Sequence, residues 1–100
     1  MKQKYITAGV CNQISLPTQM LIWQLAASLP LEADYLQVFR LSSSFENGKA
    51  IQVIRQSQEI PEFERVYSFY SENPVNTKLF LIRDSDEAAI IETLLLAEEY

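Results

Sequence analysis

Histidine is absent from the 100 residues. That absence removes the commonest general base, the commonest metal ligand and any Ser-His or Cys-His nucleophile pair. Glycine occurs only at Gly9 and Gly48, so no glycine-rich phosphate loop can be built. The lone cysteine, Cys11, has no internal disulfide partner, which points to a reducing, cytoplasmic setting. No activating group neighbours it in sequence, so it reads as a small packed thiol and not as a nucleophile. No run approaches the ~18 apolar residues of a membrane span, and the opening MKQKYITAGV has no apolar signal-peptide core. Bases are scarce too: eight Lys and Arg against thirteen Asp and Glu leave a net charge of −5. Direct nucleic-acid binding needs the opposite balance. The expectation is a protein that is not an enzyme, carries no cofactor or metal and touches neither membrane nor nucleic acid.

What is present suits one compact domain over residues 1–100, because 48% hydrophobic residues can fill one core without metal or disulfide staples. Lys4–Val10 alternates as a short strand in which Gly9 marks a bulge or a close approach, with Cys11-Asn12-Gln13 as a loop. Leu16–Leu29 reads as a helix with Ser15 or Leu16 at its cap, Pro17 in its first turn and Pro30 beyond its end. Its apolar coverage is wider than a one-sided surface helix needs, so it is covered twice or carries a partner face. Tyr35–Phe45 and Ala50–Ser57 form a hairpin closed by Glu46-Asn47-Gly48-Lys49. That register sets Glu46 opposite Lys49, Leu41 opposite Ile54 and Arg40 opposite Arg55. Phe63–Tyr70 alternates as a fourth strand after the Ile60-Pro61 break, and the apolar stretch near Leu79–Arg83 as a fifth. Asp84, with Glu87 three residues on, has capping-box spacing, and Ile90, Ile91, Leu94, Leu95 and Ala97 then recur at helical intervals. The sum is β-α-β-β-β-β-α: an α+β, two-layer domain with a mostly antiparallel sheet and two helices on one face.

Few residues carry chemistry. Asp84, Asp86 and Glu87 lack the remaining oxygen ligands and the central glycine of a calcium loop, and helix capping accounts for them. Arg40 and Arg55, facing one another across strands, form an anion-binding pair unless Glu59, Glu62 or Glu64 neutralises them. Glu92, Glu98 and Glu99 crowd the end of the chain, where a helix dipole disfavours them unless a basic partner or solvent meets them. The chain holds eleven per cent aromatics, more than the core of a two-layer fold hides, and exposed Trp and Tyr make good protein contacts. Trp23, Gln24, Glu92, Glu98, Glu99 and Tyr100 are therefore the candidate interaction surface, and Arg40 with Arg55 the alternative site of a small-molecule or anion sensor.

Four stretches, LPTQMLIWQL, LEADYLQVFRL, IRQSQEIPEFERVY and the ending LLLAEEY, together resemble the domain of unknown function 960 family of small Firmicutes and phage proteins. Ile82-Arg83-Asp84-Ser85-Asp86 stands where the family's pattern reads IDDGD. The resemblance implies a stand-alone bacterial or phage protein, cytoplasmic, and brings no catalytic residue with it. The resulting expectation is an acidic protein-interaction module with a protein partner, such as a mobile-element inhibitor or modulator of a host or defence protein with a basic groove. A homodimer through the apolar first helix is compatible with either reading.

Overall fold

The computed structural model describes residues 2–85 and 87–100. Six strands, β1 (Lys2–Ile6), β2 (Leu36–Glu46), β3 (Lys49–Gln58), β4 (Phe63–Tyr70), β5 (Thr77–Ser85) and β6 (Ile90–Leu96), form one sheet in the order β1-β6-β5-β2-β3-β4. Every neighbouring pair is antiparallel except β1 with β6. Helices α1 (Ala8–Gln13) and α2 (Leu16–Ala27) follow β1 directly. The fold is α+β with a mixed, mostly antiparallel sheet.

The hairpin has the register its turn demands. Asn47 and Gly48 both take positive φ, 53° and 77°, the backbone of a two-residue turn whose twist matches the strands. Glu46 faces Lys49, Leu41 faces Ile54 and Arg40 faces Arg55. The helix after Ser15 also stands, with Pro17 in its first turn and its last residue at Ala27.

Three expectations are corrected. The first strand stops at Ile6, and Thr7 then caps α1, its hydroxyl accepting the Val10 N–H at 3.3 Å. Cys11, Asn12 and Gln13 are thus helical, not loop, and the Cys11 thiol is exposed where a packed one is expected. The largest correction lies at the end of the chain. Asp84 and Ser85 finish β5 instead of opening a helix, Asp86 falls outside the described residues, and Ile90–Leu96 is a strand. The expected terminal helix shrinks to a 3₁₀ turn over Ala97–Glu99. The observed order is accordingly β-α-α-β-β-β-β-β. A physical reason is at hand: β6 is hydrogen-bonded between β1 and β5, and Leu94, Leu95 and Leu96 are all buried. A strand covered on both sides is apolar at consecutive positions, a pattern that helical spacing satisfies equally well.

Residues directly opposite in a ladder share a face, so the register defines two faces. Phe39, Leu41, Ile54, Leu79, Leu81, Leu94 and Leu96 fall on one, and they form a buried cluster with Val10 and Ile14 of α1 and Ile22 and Leu25 of α2. Leu36, Val38, Arg40, Arg55, Val66, Lys78, Phe80, Ile82, Thr93, Leu95 and Tyr5 fall on the other.

Candidate functional site

A line of cations crosses that second face. Lys78 of β5 stands opposite Arg40 of β2, which stands opposite Arg55 of β3. Neighbouring strands lie ~4.8 Å apart, so Arg40 has a like charge on both sides. Like charges directly opposite destabilise a sheet. Glu64 relieves Arg55 through a 2.9 Å ion pair, and the Lys78 ammonium lies 5.5 Å from the Phe80 ring centre. Among the described residues no carboxylate forms an ion pair with the exposed Arg40 guanidinium.

Beside this line lies an apolar field. Leu36, Val38, Phe80 and Ile82 are half-buried, and Leu95 is nearly covered. Tyr100 sets the edge of its ring on Phe80, with centroids 5.6 Å apart, and stays 81% exposed. At the β2–β3 end the field opens into a cleft of about 480 Å³ lined by Leu36, Val38, Arg40, Ser57 and Glu64 and the loops bearing Asp34, Glu59 and Glu62. Asp34 is already engaged: its carboxylate accepts the Tyr35 N–H at 2.8 Å and the Ile60 N–H at 3.0 Å. No cluster of three or more His, Cys, Asp or Glu among the described residues is placed to hold a metal ion. None of their helices is long and apolar enough to cross a membrane.

The other residues singled out from sequence are dispersed. Trp23 is half-buried against the core, with the Lys4 ammonium 5.7 Å from its ring centre, and Gln24 beside it is exposed. Glu92 is not a surface acid; it is 4% exposed and pairs with Lys2 at 3.2 Å. The strand assignment explains this, because β6 turns Glu92 toward the face that holds Lys4 on one side and Arg83 on the other.

Glu99 is also committed within the chain. Its Oε1 accepts the Thr7 hydroxyl at 2.6 Å and the Leu96 N–H at 2.8 Å. A Cβ added at Gly9 would lie 2.7 Å from the Glu99 carboxyl carbon, so glycine is what admits the carboxylate to the start of α1. The Thr7 hydroxyl first, then the Leu96 N–H, hold its pKa below the ordinary 4.5 against desolvation, with a lesser contribution from the Gly9 N–H. A depressed carboxylate pKa contributes stability that is present above the unfolded value and lost as pH falls through the folded one. Glu99→Gln is therefore expected to lower the urea midpoint at neutral pH, with the deficit shrinking as pH drops below 4.5. Gly9→Ala should gain the ~0.5–1 kcal/mol of better helix propensity only when Glu99 is alanine. An equal gain in the wild-type background would disprove the contact. Glu98 and Glu99 are both exposed, and of the expected acidic surface only Glu92 is withdrawn from solvent.

Sequence reasoning also missed a set of buried glutamines. Gln56 Nε2 donates to Gln37 Oε1 at 2.9 Å and to the Leu25 carbonyl at 3.2 Å. Its Oε1 accepts from Arg65 Nε at 3.0 Å and Nη2 at 2.9 Å. Arg65 Nη2 reaches the same Leu25 carbonyl at 2.7 Å. That carbonyl lies in the last turn of α2, where helix acceptors go unsatisfied and a cation is favoured. Gln52 fixes the loop before β5 by bonding both the N–H and the carbonyl of Val75, at 2.7 and 3.0 Å. Gln58 ties Asp34 N–H, the Glu32 carbonyl and the Pro61 carbonyl at 3.0, 2.9 and 2.8 Å. These bonds place the loops that wall the cleft. The available signal was glutamine at alternate positions of β3 in phase with Ile54.

No family model matches the chain, and no curated protein does. Among solved structures it is similar to a crystal structure of a protein of unknown function from Enterococcus faecalis, with a TM-score of 0.68 and 22% identity over 98% of this chain and 90% of that one. At that identity the likeness shows the shared fold.

Proposed function

We propose that the chain is a non-enzymatic protein-interaction domain with both helices on one face of its sheet and its contact surface on the other. Its partner presents an apolar patch edged by carboxylates. The observation that carries this reading is the line Lys78–Arg40–Arg55, beside Leu36, Val38 and Phe80, in a chain of net charge −5. An exposed arginine held between two other cations costs stability in the free protein. Glu64 compensates Arg55 but Arg40 has no ion pair among the described residues, and a group left without its complement in the chain finds it elsewhere. An acidic partner supplies that complement, and charge complementarity gives fast, salt-sensitive association.

This reading moves the contact surface away from the acidic end of the chain, since Glu92 is buried and Glu99 is held by Thr7. The version in which the chain enters a basic groove of a host or defence protein loses Glu92 to the Lys2 ion pair and keeps the exposed carboxylates of Glu98 and Glu99.

The test uses Arg40→Thr. It removes the like-charge contacts, so it is expected to raise stability by about 0.5 kcal/mol while weakening partner binding roughly tenfold and flattening its salt dependence. Proteins captured from lysate by the wild type should be acidic, release with salt and be lost from an Arg40→Glu/Lys78→Glu column. Captured partners that are basic, or that both columns retain equally, would overturn the reading.

The opposition of Arg40 and Arg55 at the cleft supports a second reading, a small anion held between them. Phosphate or a dicarboxylate raising the melting temperature of the wild type, but not of Arg40→Ala, would select it. Glu64 has to release Arg55 for that to happen.

A further inference from the structure

The two edges of the sheet are not equally protected. The β1 edge is five residues long and carries Lys2 and Lys4, charges that discourage another strand from pairing there. The β4 edge runs eight residues, Phe63–Tyr70, without lysine, proline or glycine. Val66, Tyr67 and Tyr70 are 50%, 44% and 61% exposed along it. Its two charges are directed inward: Glu64 pairs with Arg55, and Arg65 closes the end of α2 through the Leu25 carbonyl and Gln56. Neither guards the outer rim. A strand this long, with most of its side chains apolar or aromatic, is a template for strand addition.

The sequence of β4 also says which strand fits. A twofold axis perpendicular to the sheet brings β4 against an antiparallel copy of itself and keeps matching faces on the same side. Centred on Val66, that pairing sets Val66 opposite Val66, Arg65 opposite Tyr67, Glu64 opposite Ser68 and Phe63 opposite Phe69. Apolar residues meet apolar ones, a tyrosine meets the stem of an arginine whose guanidinium is held within its own chain, and no like charges face each other. Moving the axis to Arg65 would place two arginines in contact. We propose that a second copy of this chain pairs antiparallel along β4, centred on Val66, to make one continuous sheet across a twofold dimer. This proposal does not depend on the reading above: it rests on the free backbone edge of β4, although Val66 adjoins Arg55 on the cation-lined face.

An eight-residue strand pair lies at the small end of specific interfaces, so the dimer is expected to dissociate on the order of micromolar. Sedimentation velocity across a concentration series is the measurement. The wild type should approach twice the monomer mass as concentration rises. Val66→Asp should remain folded, since position 66 stands opposite Arg55 within the chain, yet weaken the dimer about tenfold or more by setting Asp against Asp. Ser68→Lys should keep the dimer, because position 68 meets Glu64 of the other copy. Mixing Val66→Asp with Val66→Lys, both checked as folded by circular dichroism, should restore a dimer that neither forms alone. A wild type that stays monomeric up to millimolar concentration overturns the proposal, as does a dimer indifferent to Val66→Asp or a mixture that fails to associate.

Discussion

Replacing Gln56 with leucine should cost about 2–3 kcal/mol, although the side chain keeps nearly the same volume and becomes more hydrophobic. The loss arises from the groups left behind. Gln37 Oε1 loses the amide that donates to it at 2.9 Å, and Arg65 loses the oxygen that accepts its Nε at 3.0 Å. A buried polar group stripped of its partner costs ~1–3 kcal/mol, more when it is charged. Burying the added carbon surface returns only part of that. The Leu25 carbonyl keeps Arg65 and the Ser28 hydroxyl, so the end of α2 loosens without being orphaned. Urea unfolding of two variants checks the account. Gln37→Leu/Gln56→Leu should be more stable than Gln56→Leu alone, because it removes both partners instead of one. If Gln56→Leu were neutral, the polar bridge between α2 and the sheet would contribute nothing, and simple packing would explain the core.

The same bridge shows why this fold was only partly legible in the sequence. Local features were read well where local chemistry decides. Asn47-Gly48 determined a hairpin register that sets Arg40 against Arg55, and with it half of the cation line. Pro17 and the apolar run behind it located α2. Lys78 completes the line only because β5 pairs with β2, a neighbour relation that no local pattern specifies. Gln52, Gln56 and Gln58 look like the solvent-facing positions of a half-buried strand. They are buried because a helix end and two loops arrive above them, and those meetings are tertiary. Glu99 is the extreme case, since its partner Thr7 lies 92 positions away and nothing near either residue announces the contact.

The end of the chain offers the sharpest energetic contrast between the pattern and the fold. Leu94→Ala is expected to destabilise by about 3–4 kcal/mol, the range for a leucine emptied from a closed core, since Leu94 is 0% exposed and stands opposite Leu81 in the cluster with Val10, Ile14, Ile22 and Leu25. Leu95→Ala should cost less, about 2 kcal/mol, since Leu95 keeps 8% exposure and faces Phe80 on the opposite side of the sheet. In a strand, adjacent side chains point to opposite faces and do not share a cavity. The double variant should then equal the two single losses within about 0.5 kcal/mol. In a helix the two residues would stand about 100° apart on one buried side, and their losses would be coupled. Leu95 should instead couple with Phe80, and through it with the ring of Tyr100. This separation also divides stability from recognition. At equal fractions folded, Leu94→Ala should bind the proposed partner as the wild type does, since its cavity lies in the cluster with Val10, Ile14, Ile22 and Leu25. Leu95→Ala hollows the field beside Lys78 and Arg40, and should weaken binding even when the protein is fully folded.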